Sequence, residues 1–294
     1  MELSIENLSK QFGSKRAVSQ ISLTLQPGVY GLIGANGAGK TTLMRMVCSI
    51  LDPTSGQILC NGTGIDKLGD RYRDFLGYLP QDFGYYPDFT AKEYLNFVAA
   101  IKGVKKQHTR EKVMRFLELV NLSDVANKKI RTFSGGMKQR LGIAQAVIND
   151  PKVLVLDEPT AGLDPKERMR FRNLISELSN DRIVLLSTHI VSDIDYIADE
   201  VLMIKRGKLI LNCPTEEAIH RMDGKVWNYT VPQSQVDAVN SRFRVVNLHH
   251  GGNAGTILRI VSDTAPSREA RSVEPSLEDL YLYHFEEAAA EVEE

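Results

Sequence analysis

Eight consecutive residues, Gly34-Ala-Asn-Gly-Ala-Gly-Lys40-Thr41, fill the pattern G-x-x-x-x-G-K-[ST] completely. Glycines so placed let a backbone wrap around an anion with its N–H groups pointing inward, and a helix opening at the end of the turn adds its positive N-terminus. The chemistry is phosphate binding. Gly34, Asn36, Gly37, Ala38 and Gly39, with the helix-opening Lys40, Thr41 and Thr42, form the cradle. The Lys40 ammonium would reach β- and γ-phosphates, and the Thr41 hydroxyl would ligate Mg²⁺. A second group, Asp157-Glu158, ends the apolar run Val153–Leu156. Ligands of an α/β sheet gather at the carboxyl ends of its strands, so these acids can stand beside the cradle. There Asp157 would help to hold Mg²⁺ through water. Glu158 would polarise an attacking water, a task that contributes typically about 10²–10⁴-fold.

Such residues need strands and helices to bring them together. Residues 2–8 and 21–25 alternate apolar and polar, as strands with one buried face do. Val29–Ile33 reads as a buried strand leading into the glycine turn, and a helix is expected from Thr41 to about Leu51, before Asp52-Pro53. Between about 83 and 150 the pattern turns helical. Thr90-Ala-Lys-Glu93 is a capping box, and Val113, Phe116, Leu117 and Val120 share one face of a second helix. Buried strands return at Val153–Leu156 and Ile183–Ser187 with a helix between them, and a hairpin is expected to turn at Arg206-Gly207. Alternating strands and helices predict a largely parallel sheet. After Pro214 come a short helix at 215–222, strands at 226–231, 243–248 and 256–261, a helix from Ser276 and an acidic, fraying tail from Glu286 to Glu294.

A phosphate cradle with two acids would also suit a kinase, a GTPase or a helicase. The discriminating run is Phe133-Ser-Gly-Gly-Met-Lys-Gln139. Ser134 stands at an N-cap, Gly135 and Gly136 leave their N–H groups open, and Met137, Leu141, Ala144 and Ile148 mark the apolar face of the helix that follows: a second anion cradle. This run resembles the signature motif of the ABC ATPases, usually Leu-Ser-Gly-Gly-Gln, with Phe133 and Met137 as departures. The resemblance implies that Ser134, Gly135 and Gly136 contact the γ-phosphate held by the opposite subunit. Phe12 matches the aromatic on which adenine stacks. Gln81, in Gly-Tyr-Leu-Pro-Gln-Asp, resembles the glutamine that senses Mg²⁺ and the attacking water and links to the membrane partner. Asp164, in Ala-Gly-Leu-Asp, resembles the loop that crosses the dimer interface, and His189, in Leu-Ser-Thr-His, the switch histidine on the γ-phosphate.

The resemblance spans about residues 2–222. It implies an α/β fold with a P-loop NTPase core and mostly parallel sheet, an N-terminal antiparallel β-subdomain, a helical subdomain at about 83–150 and a small C-terminal α+β extension over 223–294. ATP and Mg²⁺ are the implied cofactors. One chain carries one P-loop and one signature, so the implied partners are a second copy or homologous ATPase subunit and a separate transmembrane permease. The implied location is cytoplasmic, peripheral on the membrane through that permease. Pro275-Ser-Leu-Glu-Asp-Leu-Tyr281 is similar to the C-terminal extension of bacterial export-type subunits serving drugs or peptides; that extension is expected to aid dimerisation or regulation, or to be passive.

The bulk properties agree. Lys plus Arg is 36 against 37 Asp plus Glu, so no nucleic acid is expected as partner. Cys48, Cys60 and Cys213 lack metal-ligand spacing and read as reduced, buried thiols. No run approaches the roughly 20 apolar residues of a membrane-spanning helix, and the first residues lack a secretory-signal layout. The alternative is a soluble ABC ATPase acting on ribosomes or DNA. Such relatives typically carry two ATPase domains or a long coiled-coil insertion, and neither is seen in this sequence.

Overall fold

The computed structural model describes residues 1–250 and 255–285, so the acidic run from Glu286 to Glu294 lies outside the described residues. Two compact units divide the chain, Met1–Asn212 and Cys213–Glu294. The division falls before the expected boundary at 222 because the helix at Thr215–His220 packs against the C-terminal helix and belongs with the second unit.

In the first unit β1 (Leu3–Phe12) and β2 (Lys15–Leu25) pair antiparallel around Gly13-Ser14, with Leu3 opposite Leu25 and Phe12 opposite Lys15. Their alternation buries Leu3, Ile5, Leu8, Val18, Ile21 and Leu25 on one face. β3 (Gly28–Ile33) runs into the glycine turn, and α1 (Lys40–Val47) leaves it. α1 stops short of Leu51: Ser49 takes a left-handed backbone at φ 53°, and the N–H groups of Ile50 and Leu51 fold back to the Arg45 carbonyl. β4 (Ser55–Cys60), β5 (Thr63–Gly64), α2 (Ile65–Leu68), α3 (Asp70–Asp74) and β6 (Leu76–Leu79) follow. β4 and β5 complete an antiparallel sheet in the order β2-β1-β4-β5.

The helical region consists of α4 (Ala91–Ile101), α5 (Lys106–Leu119) and α6 (Gly135–Val147). The capping box that opens α4 is complete. Thr90 Oγ1 accepts from the Glu93 N–H at 3.1 Å, and the Glu93 carboxylate accepts from the Thr90 N–H at 2.8 Å.

β7 (Val153–Asp157), α7 (Pro165–Leu178), β8 (Ile183–Ser187), α8 (Val191–Ile197), β9 (Glu200–Lys205) and β10 (Lys208–Pro214) then alternate. Six strands form one sheet in the order β10-β9-β3-β8-β7-β6, parallel from β9 to β6. Every residue of β7 and β8 is buried, which is why both read as unbroken apolar runs. Each fully buried Val, Leu or Ile there contributes roughly 1.5–3 kcal/mol. The functional consequence is positional. The neighbours β3, β8, β7 and β6 all deliver their following loops to the same edge of the sheet. The three cysteines are buried and form no disulfide, and burial pushes the Cys48 and Cys60 thiols up, away from thiolate chemistry.

The second unit holds α9 (Thr215–His220), β11 (Val226–Val231), α10 (Val236–Asn240), β12 (Arg244–His250), β13 (Thr256–Val261), β14 (Arg271–Ser272) and α11 (Leu277–His284). Its antiparallel sheet runs β12-β13-β11-β14 over a core of Val231, Leu258 and Ile260, with Trp227 and Phe243 packed against it. Arg259 on β13 grips both oxygens of Asp279 on α11, at 2.8 and 2.6 Å. Burial pulls the Asp279 carboxyl upward, but the hydrogen bonds from Arg259 and Ser276 outweigh it and hold the group below the usual carboxylate range.

A depressed carboxyl stabilises the fold only while ionised, fully above its unfolded value near 4 and progressively less as pH falls below that. Asp279→Asn is therefore expected to lower the stability of this unit by about 1–3 kcal/mol at pH 7. The gap to the unsubstituted protein should narrow below about pH 4. Urea melts followed through Trp227, the chain's one tryptophan, read this directly; a gap independent of pH would contradict it.

Candidate functional site

The turn after β3 is shaped by crowding. A Cβ at Gly34 would collide with the Ile204 carbonyl, and one at Gly39 with the Ala17 carbonyl. Gly39 also has φ 110° and Gly37 φ 75°, backbones that side chains disfavour. α1 starts immediately after, and the first N–H groups of a helix have no intrahelical partner. Lys40 is only 7% exposed; its ammonium donates to the Gly34 carbonyl at 2.6 Å and to that of Ala35 at 3.3 Å. Burial draws its pKa down, while Glu158 and Asp157 pull it back up. The fold thus places a buried lysine, facing two acids, inside the glycine turn.

The acids come from the next strands. Parallel register sets Asp157 beside Ser187. Ser187 Oγ donates to Asp157 Oδ1 at 2.6 Å and accepts from the Glu158 N–H at 3.1 Å. Glu158 has φ 52°, a conformation that costs a non-glycine residue roughly 1–2 kcal/mol. This turn brings the Glu158 carboxylate to 2.6 Å from His189 Nδ1, and the same oxygen accepts from the His189 N–H at 3.3 Å. Strain at a strand end that aims a carboxylate is common at functional sites.

A cavity of about 710 Å³ gathers these groups. Of the residues singled out from the sequence it is lined by Phe12, Asn36, Gly37, Ala38, Gly39, Lys40, Thr41, Thr42, Gln81, Glu158 and His189. Gly34 and Asp157 are not on this lining; Gly34 opens the turn, and Asp157, next to Glu158 in the chain, is hydrogen-bonded to Ser187. Phe12 is 50% exposed, with the Lys10 ammonium 5.3 Å from its ring centre. Ser134, Gly135, Gly136 and Asp164 lie elsewhere. Ser134 caps α6 by accepting from the Met137 N–H at 3.2 Å, and Asp164 caps α7 by accepting from the Glu167 N–H at 2.9 Å. Ser134, Gly135 and Asp164 are exposed.

Lys15, Ala17 and Ser187 join the site although no sequence motif marks them. Lys15 and Ala17 line the cavity because the tight Gly13-Ser14 turn sets Lys15 opposite Phe12; that short turn was the available signal. Ser187 ends the apolar run of β8 and pairs directly with Asp157 on the neighbouring strand.

The arrangement suits a triphosphate with a hard cation. Asp157 is 1% exposed, and its Oδ2 has no hydrogen-bond partner among the described residues. That buried carboxylate oxygen, with the Thr41 hydroxyl on the cavity wall, is an oxygen set of the kind Mg²⁺ takes.

The family model described as ABC transporter matches residues 18–161. The uncharacterized ABC transporter ATP-binding protein YxlF of Bacillus subtilis is 38% identical over 79% of this chain and 77% of its own. The chain belongs to the ABC transporter ATP-binding proteins. Other relatives are the bacitracin transport ATP-binding protein BcrA of Bacillus licheniformis, 39% identical over 71% of this chain and 68% of its own, and the linearmycin resistance ATP-binding protein LnrL of Bacillus subtilis, 33% identical over 83% and 78%. A solved ATP-binding subunit of an ABC transporter shares the fold, at 24% identity and a TM-score of 0.68 over 75% of this chain and 93% of that one. As an ABC ATPase, this subunit binds ATP and hydrolyses it in the service of a transporter.

Lys40 and Lys15 are the two cations on the cavity wall. Lys40→Ala is expected to weaken ATP binding by at least tenfold, since it removes a buried, charge-assisted contact. Lys15→Gln, at the wetter end, should raise the ATP KM by about 2–5-fold with kcat unchanged, and less so in high salt. Equal ATP affinities for Lys40→Ala and the parent protein would overturn the cradle assignment.

Proposed function

We propose that two copies of this chain, or one copy and a homologue, close around two ATP molecules on the cytoplasmic face of the membrane and thereby drive a separate transmembrane permease that exports its cargo. The observation that carries this reading is the separation of two anion cradles in one chain. The glycine turn with Lys40 lines the cavity, whereas Ser134-Gly135-Gly136 open α6 on exposed surface outside it. A second chain placed head to tail supplies the missing half to each cavity. Asp164, exposed at the start of α7, then sits at the seam.

Within each site Phe12 stacks on adenine, and the turn amides and Lys40 hold the β- and γ-phosphates. Thr41 and Asp157, with Gln81 nearby, would hold Mg²⁺, which supplies charge neutralisation at the phosphate oxygens. Glu158 takes the proton of the attacking water as its oxygen bonds to the γ-phosphorus and the bond to the β–γ bridging oxygen breaks. His189 steadies Glu158 through Nδ1 and leaves Nε2 for the γ-phosphate. Ser134, Gly135 and Gly136 of the second chain complete the anion shell.

The permease side is supported by an aromatic patch after Gln81. Tyr86, Phe97 and Ile101 are 50%, 39% and 68% exposed, and Phe97 meets Tyr86 and Phe89 edge-on. Among the described residues no helix is long and apolar enough to cross a membrane. Export is supported by the relatives named for bacitracin transport and linearmycin resistance.

Glu158→Gln should keep ATP binding, lower turnover by about 10²–10⁴-fold and accumulate an ATP-bound dimer, seen by light scattering. Turnover at the parent rate, or a nucleotide-loaded monomer, would refute the reading. Purification from membranes should bring down a multi-span permease; recovery with ribosomes or DNA instead would favour a non-membrane role.

A further inference from the structure

We propose that Arg172 and Asp193 form an ionic clasp that holds the His189 switch in register with Glu158, and so acts on the hydrolytic step rather than on ATP binding. The proposal rests on the reading of Glu158 and His189 given above.

His189 lies between the end of β8 and the start of α8, where Val191 is the first helical residue. Its position against Glu158 therefore depends on where α8 sits. Packing against β3 and an ion pair to α7 hold that helix. On the sheet side Ile194 packs so tightly over β3 that a Cβ at Gly31 would collide with its side chain. On the other side Asp193, fully buried, meets Arg172 of α7, which donates through Nε at 3.1 Å and Nη2 at 2.6 Å to the single oxygen Oδ1. The Asp193 N–H in turn donates to the carbonyl of Ile190, the residue next to His189. A carboxylate taken out of water needs its cation, so Asp193 follows the Arg172 head group closely.

The platform is itself anchored. α7 begins at the Asp164 cap, and Glu167 in its first turn lies 3.1 Å from Arg140 of α6. The Arg172 guanidinium also lies 4.4 Å from the ring centre of Tyr196, which covers one of its faces.

The clasp differs from the pair that welds the second unit. Arg259 engages both oxygens of Asp279, whereas Asp193 Oδ2 is buried with no hydrogen-bond partner among the described residues. The Arg172 guanidinium thus ties α8 to α7 through Asp193 and through the face of Tyr196, opposite the Ile194 contact with β3. Without the tether it can turn about Ile194 and carry His189 away from Glu158. Arg172 and Asp193 touch neither nucleotide nor water on this account; they are positioning residues.

The test uses the full chain with Mg²⁺ and ATP. Arg172→Met is expected to lower kcat about tenfold while the ATP KM and the nucleotide Kd stay within about twofold. Arg172→Lys, which keeps the charge but loses the fork, should fall between. Asp193→Asn keeps the side-chain shape and removes the buried charge. It guards against simple misfolding, and should lose kcat to a similar extent while showing native circular dichroism. The double variant should be no slower than Arg172→Met alone, because both substitutions break one contact. Unchanged kcat in folded Asp193→Asn, additive losses in the double variant, or a KM that rises in step with the loss of kcat would each overturn the clasp. Glu158→Gln measured alongside separates the two claims. If that variant keeps the parent rate, the reading of Glu158 fails; if it is inactive while Arg172→Met is normal, only the clasp fails.

Discussion

The register of four neighbouring parallel strands is the constraint on which the site depends. β3, β8, β7 and β6 end at one level, with Leu32 and Asp157 both beside Ser187 and Leu79 beside Leu156. That alignment turns separate sequence motifs, spread from Gly34 to His189, into one cavity. A slip of one residue in β7 would send the Asp157 side chain to the opposite face and break its hydrogen bond to Ser187. The burial of every side chain in β7 and β8 resists such a slip.

On this frame the electrostatics are closed among a few residues. Lys40 is buried and would shed its proton more readily in isolation, but Glu158 and Asp157 oppose that shift. Ser187 satisfies one oxygen of Asp157, leaving the other bare, and simultaneously holds the Glu158 N–H in a left-handed turn. The strain at Glu158 is sustained by four hydrogen bonds: its N–H donates to the Ser187 hydroxyl and carbonyl, and its carboxylate meets the His189 N–H and Nδ1.

How legible this was from sequence follows the same physics. Glycines that no other residue can replace, at Gly34 and Gly39, are visible as a spaced pattern because crowding dictates them. The strands β7 and β8 announce themselves by continuous apolar character. The Thr90 and Ser134 caps are local hydrogen bonds and were readable as such. By contrast β4 and β6 gave no clear periodicity: β4 has three exposed residues in succession before its buried end, and β6 is only four residues long. Lys15 was missed because its place on the cavity wall comes from cross-strand pairing with Phe12, a relation between positions and not a property of either residue. The boundary between the units moved for a similar reason, since the allegiance of α9 is decided by its packing on α11.

The most consequential feature is what one chain does not bring together. The glycine turn, a buried lysine and the Glu158 carboxylate converge in the cavity, yet the exposed N-terminus of α6 stands outside it. An ATPase whose own fold gathered every group would hydrolyse ATP whenever it bound it, uncoupled from any partner. Dividing the anion shell between two chains, as proposed, makes the final contacts to the γ-phosphate conditional on an approach of domains. Contacts present only in the closed state favour that state by their differential free energy. On the proposed reading, that difference is the quantity a permease would use. The same logic gives α7 its interest: it meets α6 through Glu167 and α8 through Arg172, so the helix opened by Ser134 and the helix that follows His189 share one neighbour.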